Sequence, residues 1–279
     1  MSLVNLNQAI NYFEKSSSSI GAFNVSCWEM APAIIAAAEK ASFPVVLQSQ
    51  WPFLEHVGVR AATRFLVDLA ERSAVPIVLQ LDHAREWEQV MLCLRAGFSS
   101  VMIDASHLPL EENIRLVAEV VKVAHAIGVT VESELGRLSG QEEEVIVAAK
   151  DASFTDPEEA FLFAERTRVD ALAVSIGTVH GSYQGEPKLD FARLEAIKAL
   201  TAVPLVLHGA SGVSSIALQK ATALGVKKVN FSTELREAWV SSMSEELSNS
   251  NLDPLSCSKA AQLAVRNVVG AKIRILHQQ

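Results

Sequence analysis

Three of the seven histidines stand where parallel α/β proteins place their chemistry. His83, His180 and His208 each come shortly after an apolar run that is typical of a buried strand. Three neutral imidazoles suit zinc, and three protein ligands leave a coordination position for water or a substrate. Each ring alone is equally well explained as a hydrogen-bonded loop residue, but together the three predict a metal centre. The remaining four are interpreted as solvated or core side chains: His56, His107, His125 and His277.

Other polar side chains that are costly to bury recur at the carboxyl ends of the apolar runs. In a parallel barrel the loops at that end of the strands build the active site. These side chains are therefore predicted to face one common site. They are Asn24, Asp82, Asp104, Glu132, Glu134 and Asn230.

Small residues follow two of the three histidines and the last apolar run. They allow backbone N–H groups to approach an anion, and the loops after the seventh and eighth strands are the usual phosphate site of barrels. The predicted phosphate-binding residues are Gly181, Gly209, Ala210, Ser211, Asn230, Phe231, Ser232 and Thr233. Because the formal net charge is −8, such local donors must hold a phosphate against the overall field.

Eight short apolar runs alternate with segments of helical periodicity, which predicts an α/β fold. The runs cover residues 21–25, 45–50, 77–81, 100–103, 130–134, 171–175, 205–207 and 228–231. Eight such units in 279 residues favour a closed (β/α)8 TIM barrel, and no Gly-x-Gly-x-x-Gly turn follows the first run to suggest a dinucleotide fold. One domain over residues 1–279 is expected.

Two segments exceed a minimal barrel. The first, residues 135–156, is longer than an ordinary strand-to-helix loop, and such loops are usually lids or disordered. The second is a C-terminal helical extension over about 248–279, with a helix predicted from about Pro254 to Ile275. Its apolar stripe predicts that it caps the barrel or meets a neighbouring subunit of a homodimer or homotetramer. The stripe consists of Ala261, Val265, Val268, Val269 and Ile273.

Composition excludes several classes of partner. Acidic residues outnumber basic ones, 32 to 24, which disfavours binding to nucleic acid or to anionic membranes. No apolar stretch reaches the roughly 18 residues of a membrane span, and the first 15 residues lack a secretory pattern. Three cysteines without Cys-x-x-Cys spacing fit a reducing cytoplasm.

At this point the motifs resemble a known family, the class II, metal-dependent fructose- and tagatose-bisphosphate aldolases. The similarity extends in order from about residue 3 to 240, and the Gly-Arg-Leu and Ser-Thr-Glu-Leu elements look closest to the tagatose type. The motifs are Gly-Ala-Phe-Asn-Val (21–25), Leu-Asp-His (81–83), Gly-Phe-x-Ser-Val-Met-Ile-Asp (97–104), Val-Glu-x-Glu-Leu-Gly-Arg-Leu (131–138), Ile-Gly-Thr-x-His-Gly-x-Tyr (176–183), Leu-His-Gly-Ala-Ser-Gly (207–212) and Val-Asn-Phe-Ser-Thr-Glu-Leu (229–235).

The resemblance implies specific roles. The three histidines would bind zinc, with Glu134 as an alternative or second-cation ligand, where that second cation is monovalent or divalent. Asp82 would be the acid/base group at the aldehyde oxygen, and Glu142 the mobile base, although Glu143 is close enough to exchange roles with it. The phosphate-binding residues, together with Asn24, would hold dihydroxyacetone phosphate or a phosphorylated ketose.

This chemistry suits the residue types. Splitting a β-hydroxy ketone leaves an enediolate, and a nearby cation stabilises its developing charge. A glutamate on a mobile loop can move the carbon-bound proton while the closed loop excludes water.

Three alternatives stay open at this level. A class I aldolase needs a lysine at the carboxyl end of a strand, whereas Lys228 is placed at the start of the eighth run and Lys188 in a loop. A non-catalytic sugar-phosphate-binding barrel would explain departures from the family pattern at Trp51 and Ser139. A metal-dependent sugar-phosphate epimerase would also use an enediolate.

Overall fold

The computed structural model describes residues 2–13, 18–142, 145–148, 152–181, 185 and 187–278, with the backbone alone at 141–142 and 145–147. Within these residues eight strands form a closed parallel barrel. They are β1 (Ile20–Asn24), β2 (Val45–Gln50), β3 (Ile77–Ala84), β4 (Ser100–Ile103), β5 (Thr130–Leu135), β8 (Ala171–Val174), β10 (Leu205–Leu207) and β11 (Val226–Phe231). Their order around the barrel follows the chain, and β11 closes it by pairing in parallel with β1, with Ala22 opposite Asn230.

Three further short strands, β6 (Ser139–Glu142), β7 (Val145–Val147) and β9 (Val179–His180), form a separate small sheet. The helices are α1 (Leu6–Asn11), α2 (Met30–Ala41), α3 (Trp51–Val57), α4 (Val59–Arg72), α5 (Trp87–Ala96), α6 (Leu110–His125), α7 (Pro157–Thr167), α8 (Phe191–Leu200), α9 (Ser215–Ala223), α10 (Thr233–Ser248) and α11 (Pro254–Leu276).

The predicted barrel is confirmed, because each apolar run forms a strand that helices cover from outside. Six of the eight barrel strands are buried at every position, which is why they read as continuous apolar runs rather than alternating ones. Helix α6 shows the complementary pattern: Ile114, Val117, Val121 and Ala124 recur at helical spacing and are buried.

Two strand boundaries predicted from the sequence are wrong by more than one residue. The third strand ends at Ala84 rather than at Leu81. The eighth strand begins at Val226 rather than at Lys228. The pair Lys227-Lys228 interrupts the apolar pattern, although the Lys228 side chain is fully buried inside the barrel. Lys228 therefore lies in the middle of β11, two residues before Asn230.

The amino end of the barrel is closed by α1. Asn5 caps this helix and exchanges hydrogen bonds with Gln8 in a capping box. Leu6 and Ile10 of α1 and the following Phe13 are buried in one cluster with Ile20 of β1 and other inward-facing strand residues. Because this end is filled by apolar side chains, the open end is the carboxyl one.

The C-terminal extension is a 23-residue helix, as the sequence predicted within one residue. Helix α11 packs mainly against α10 and α2, so it covers the outside of the barrel. Just beyond its end the His277 ring packs against Phe43 and Phe13, with centroid distances of 3.7 and 4.8 Å. No helix among the described residues combines the length and apolarity that a membrane crossing needs.

Candidate active site

Asp82 and His83 lie at the carboxyl end of β3, where the backbone of the strand is irregular. The pairing of β3 with β4 shifts register between Leu81 and Ala84, and His83 has a φ of 47°. A positive φ outside glycine is uncommon and is tolerated where the surroundings impose it, often at functional sites. It presents the His83 ring to the barrel mouth, where Nδ1 lies 3.1 Å from Asp104 Oδ2.

His208 follows β10 and is fully buried. Its Nε2 donates to Glu132 Oε1 at 2.9 Å, and its Nδ1 lies 3.3 Å from Glu134 Oε2. Among the described residues neither Nδ1 nor that Oε2 has a hydrogen bond of acceptable geometry. Burial opposes a charged ring, but the two glutamates prevail and raise the pKa of His208 to about 9. A shared proton or a shared cation would satisfy both atoms.

His180, the last residue of β9, completes a cluster of three imidazoles. The ring of His83 is 5.3 Å from that of His180 and 4.7 Å from that of His208, centroid to centroid. One nitrogen from each ring lies within 4.8 Å of the other two. Burial and then the charges of the neighbouring histidines lower the pKa of His180, which keeps this ring neutral and able to act as a ligand.

A second group of potential ligands adjoins the first. His83, Asp104 and Glu134 each place a donor atom within 4.8 Å of the others. Burial, followed by the charge of Asp104, raises the pKa of Glu134. Two buried carboxylates with oxygens within 4.8 Å of each other favour a cation between them. The sequence pointed to Asp104 only as a polar strand end and did not assign it a role.

Asp82 is held rigidly beside the cluster. Its side chain is 1% exposed, Oδ2 accepts from Asn24 Nδ2 at 2.8 Å, and Oδ1 accepts from Gln48 Nε2 at 2.6 Å. Asn24, which was expected to contact the substrate, thus also orients Asp82. Gln48 was missed, although a glutamine inside an apolar strand was a usable signal.

A pocket adjoins the imidazole cluster at the ends of β10 and β11. It is lined by Asn24, His180, Gly181, Gly209, Ser211, Asn230, Ser232, Thr233 and Arg236. All but Arg236 were singled out from the sequence. Arg236 lies one turn into α10, where it adds the positive charge that the glycines and hydroxyls lack. The N-terminus of this 16-residue helix also favours an anion.

Ala210 and Phe231, also expected at the phosphate, face elsewhere. Both side chains are fully buried. The Ala210 N–H donates to the Asn230 carbonyl oxygen at 3.3 Å, and the Phe231 ring stacks on Phe23 at 5.6 Å in the layer between strands and helices. In this structure they support the pocket wall without lining it.

The segment predicted as a lid contains the hairpin of β6 and β7. Strand β6 pairs in parallel with β9, with Gly140 opposite His180. A Cβ at Gly140 would collide with the His180 carbonyl oxygen, and the φ of Gly140 is 109°. Glu142 ends β6, but its side chain lies outside the described part of the chain, as do Glu143, Ser182 and Tyr183.

The fold and the site define a (β/α)8-barrel enzyme with a candidate metal centre beside an anion pocket. The profile of the class II fructose-bisphosphate aldolases matches residues 4–279. The chain is 42% identical to a fructose-bisphosphate aldolase of Thermus caldophilus over 92% of each chain. It is 38% identical to one of Geobacillus stearothermophilus, covering 98% of this chain and 96% of the relative. The YdjI aldolase of Escherichia coli K12 has a similar structure, with a TM-score of 0.87, 32% identity and coverage of 98% and 97%.

The chain belongs to the class II fructose-bisphosphate aldolase family. It is an aldehyde-lyase of the aldolase type, in a family that is generally metal-dependent. This membership sets aside the class I and non-catalytic alternatives. The burial of Lys228 beneath the site agrees, since an amine that forms a Schiff base must reach the substrate.

Proposed function

We propose that this protein is a zinc-dependent aldolase that reversibly cleaves tagatose 1,6-bisphosphate or fructose 1,6-bisphosphate to dihydroxyacetone phosphate and an aldehyde. The observation that carries the proposal is the convergence of His83, His180 and His208 beside the anion pocket. Because His180 belongs both to the imidazole cluster and to the lining of the pocket, the two sites adjoin. This matches a substrate whose carbonyl lies next to its phosphate.

The donor set fits zinc. Two of the three rings direct one nitrogen to a buried carboxylate, His83 to Asp104 and His208 to Glu132, so the opposite nitrogen of each ring is the one that would bind the cation. Such carboxylate–histidine pairs fix the tautomer and orientation of metal ligands. Glu134 serves as the alternative ligand, or with Asp104 as a ligand of a second cation. The bound zinc supplies stabilisation of the negative charge that develops on the substrate's oxygens.

Asp82 is the proposed acid/base group. In cleavage its carboxylate accepts the proton of the hydroxyl that becomes the aldehyde oxygen, and in condensation it returns that proton. Asn24 and Gln48 occupy one lone pair on each carboxylate oxygen, so the carboxylate cannot rotate away from the imidazole cluster.

The phosphate is held by the pocket around Gly181, Gly209 and Ser211, which Asn230, Ser232 and Thr233 also line. Arg236 supplies a full positive charge. This local arrangement offsets the net charge of −8 that would otherwise repel the substrate. Ala210 and Phe231 support the wall of this pocket without lining it.

Glu142 is proposed as the mobile base that exchanges the carbon-bound proton of dihydroxyacetone phosphate. Its backbone ends β6, the strand that pairs with β9 and so with His180. A residue at this place moves with the hairpin and can approach the substrate when the hairpin closes.

Two observations bear on which sugar bisphosphate is the substrate, and they favour different sugars. The Thermus and Geobacillus relatives named above are fructose-bisphosphate aldolases, whereas the Gly-Arg-Leu motif at 136–138 favours the tagatose type. We further propose that residues 1–279 act as one domain within a cytoplasmic homodimer or homotetramer. Exposed leucines on α11 and before it, at Leu252, Leu255 and Leu263, support an interface there.

A substrate panel tests the function. Zinc-loaded protein is incubated with tagatose and fructose 1,6-bisphosphates and with ketose 1-phosphates, and release of dihydroxyacetone phosphate is measured with and without chelator. We expect cleavage of a bisphosphate that chelator abolishes and zinc restores. Cleavage that persists in chelator would contradict zinc dependence, and absence of cleavage across the panel would contradict the substrate class.

A further inference from the structure

Lys228 has three acceptors within hydrogen-bond distance inside the barrel. Its side chain is fully buried, and Nζ lies 3.0 Å from Glu132 Oε1, 2.8 Å from Glu132 Oε2 and 2.8 Å from Asn230 Oδ1. An ammonium has three donors, so each can be used. Lysine is almost never buried unless it is paired in this way.

Packing alone does not require a lysine here. The in-register neighbours of Lys228 are Ile20 on β1 and Val206 on β10, both apolar and fully buried. An apolar side chain would continue this layer, and well-packed apolar residues often match or exceed buried ion pairs in stability. The presence of a lysine at this position is therefore explained by the groups to which it donates hydrogen bonds.

The first bonded group is a carboxylate that also holds a proposed metal ligand. Glu132 Oε1 accepts from both Lys228 Nζ and His208 Nε2, and Glu132 Oε2 accepts from Gln80 Nε2 at 3.1 Å. With both oxygens bonded, the carboxylate plane is fixed. The hydrogen bond from His208 Nε2 to this fixed carboxylate sets the orientation of the imidazole ring, so that Nδ1 faces the cluster.

The second bonded group faces the substrate pocket. Asn230 lines the pocket, and its side-chain oxygen Oδ1 accepts from Lys228 Nζ at 2.8 Å. Because the ammonium can only donate, the opposite orientation of the amide would set two donors against each other. Lys228 thus turns the amide so that the Asn230 NH2 group is the end left for the pocket.

We propose that Lys228 is a positioning residue that couples the zinc site to the substrate pocket, by fixing Glu132 behind His208 and by setting the orientation of the Asn230 amide. The inference rests on the proposed function, since it assigns zinc to His208 and the phosphorylated substrate to Asn230. Lys228 itself touches neither ligand.

The test compares Lys228→Met with Lys227→Met, the same change on the adjacent residue of β11. Zinc affinity is measured by competition with a chromophoric chelator, and affinity for dihydroxyacetone phosphate by calorimetry on zinc-saturated protein. We expect Lys228→Met to weaken zinc about 10- to 100-fold, as for other lost supports of a metal ligand. Its affinity for dihydroxyacetone phosphate should fall about 10-fold, the equivalent of about one hydrogen bond. Lys227→Met should change neither affinity.

A double variant separates the two roles and guards against misfolding. Lys228→Met with Glu132→Gln removes both buried charges, and the glutamine oxygen can still accept from His208. We expect zinc affinity to return to within about 3-fold of wild type, whereas dihydroxyacetone phosphate stays about 10-fold weaker because the Asn230 amide is no longer oriented.

The outcomes are distinct. Wild-type affinity for both ligands in Lys228→Met, or wild-type affinity for dihydroxyacetone phosphate in the double variant, would overturn the coupling while leaving the proposed function intact. Wild-type protein that binds neither ligand would instead overturn the proposed function, and the coupling with it.

Discussion

His208 Nδ1 lies 3.3 Å from Glu134 Oε2, and both side chains are buried at the mouth of the barrel. These two atoms do not form a well-aligned hydrogen bond with each other, whereas Nε2 of the same ring donates to Glu132 Oε1 at 2.9 Å. The ring is thus anchored on one side and directed on the other toward a position that the His83 and His180 rings also approach. This asymmetry is what a cation ligand requires.

Removal of one imidazole should release the metal. We expect His208→Ala, like His83→Ala or His180→Ala, to lose both stoichiometric zinc and detectable cleavage, because two remaining protein ligands hold zinc far more weakly. Metal content by atomic absorption and a coupled assay for dihydroxyacetone phosphate check this. His107→Ala, a change at an exposed histidine, is the control that should keep both. Full activity and one zinc per chain in a site variant would contradict the assignment.

Asp82→Asn separates proton transfer from metal binding. The shape of the side chain is kept, but the amide cannot accept the hydroxyl proton, so we expect kcat to fall about 10²- to 10⁴-fold. Zinc content should stay at the wild-type level because Asp82 is not among the proposed ligands. Asp68→Asn, on the surface of α4, is the matched control. A kcat within about 3-fold of wild type would remove Asp82 from the proton-transfer role.

The mobile base can be tested without the full reaction. Glu142→Gln should slow exchange of the carbon-bound proton of dihydroxyacetone phosphate with deuterium from solvent about 10²-fold or more, while its affinity changes little. Exchange is followed by proton NMR in zinc-loaded protein. Glu143→Gln is measured beside it. If Glu142→Gln exchanges normally and Glu143→Gln does not, the role belongs to Glu143.

His277, the residue that follows α11, is expected to make the stability of the fold sensitive to acid. Burial lowers the pKa of this histidine from 6.5 to about 4, since its ring is stacked on Phe43. Because folding lowers this pKa, the folded state favours the neutral ring. The contribution of His277 to the free energy of unfolding is therefore complete above pH 6.5 and is lost as the pH falls toward 4. Between pH 7 and 4.5 we expect wild type to lose about 1 to 2 kcal/mol more than His277→Phe, allowing for the partial exposure of the ring.

Urea denaturation of both proteins at the two pH values measures that difference. Phenylalanine keeps the aromatic stack and cannot titrate, so other acid-sensitive groups cancel in the comparison. An equal loss of stability in the two proteins would show that His277 does not couple to pH.

The barrel was predictable because each barrel strand is a largely apolar run with a polar residue at or beside its carboxyl end. The same signal located Asp82 and the three histidines. The supporting groups were harder to predict, because their roles depend on contacts across the barrel. Glu132 meets Lys228 over a separation of 96 positions, and nothing near either residue indicates the other.

Two further residues show why local patterns were insufficient. Lys228 was placed at the start of the eighth strand, and only the closed barrel shows that its partners, Glu132 and Asn230, lie inside. Arg236 lies on a helix face, where a charged residue is ordinarily solvated. Its place in the pocket follows from the path of α10 over the end of β11.

The most direct measurement of the central claim is X-ray absorption at the zinc edge of protein loaded with one equivalent of zinc. The account predicts three imidazole nitrogens at about 2.0 to 2.1 Å from the metal, and the loss of one of them in His208→Ala reconstituted with excess zinc. A wild-type spectrum without imidazole scattering, or one that the substitution leaves unchanged, would contradict it.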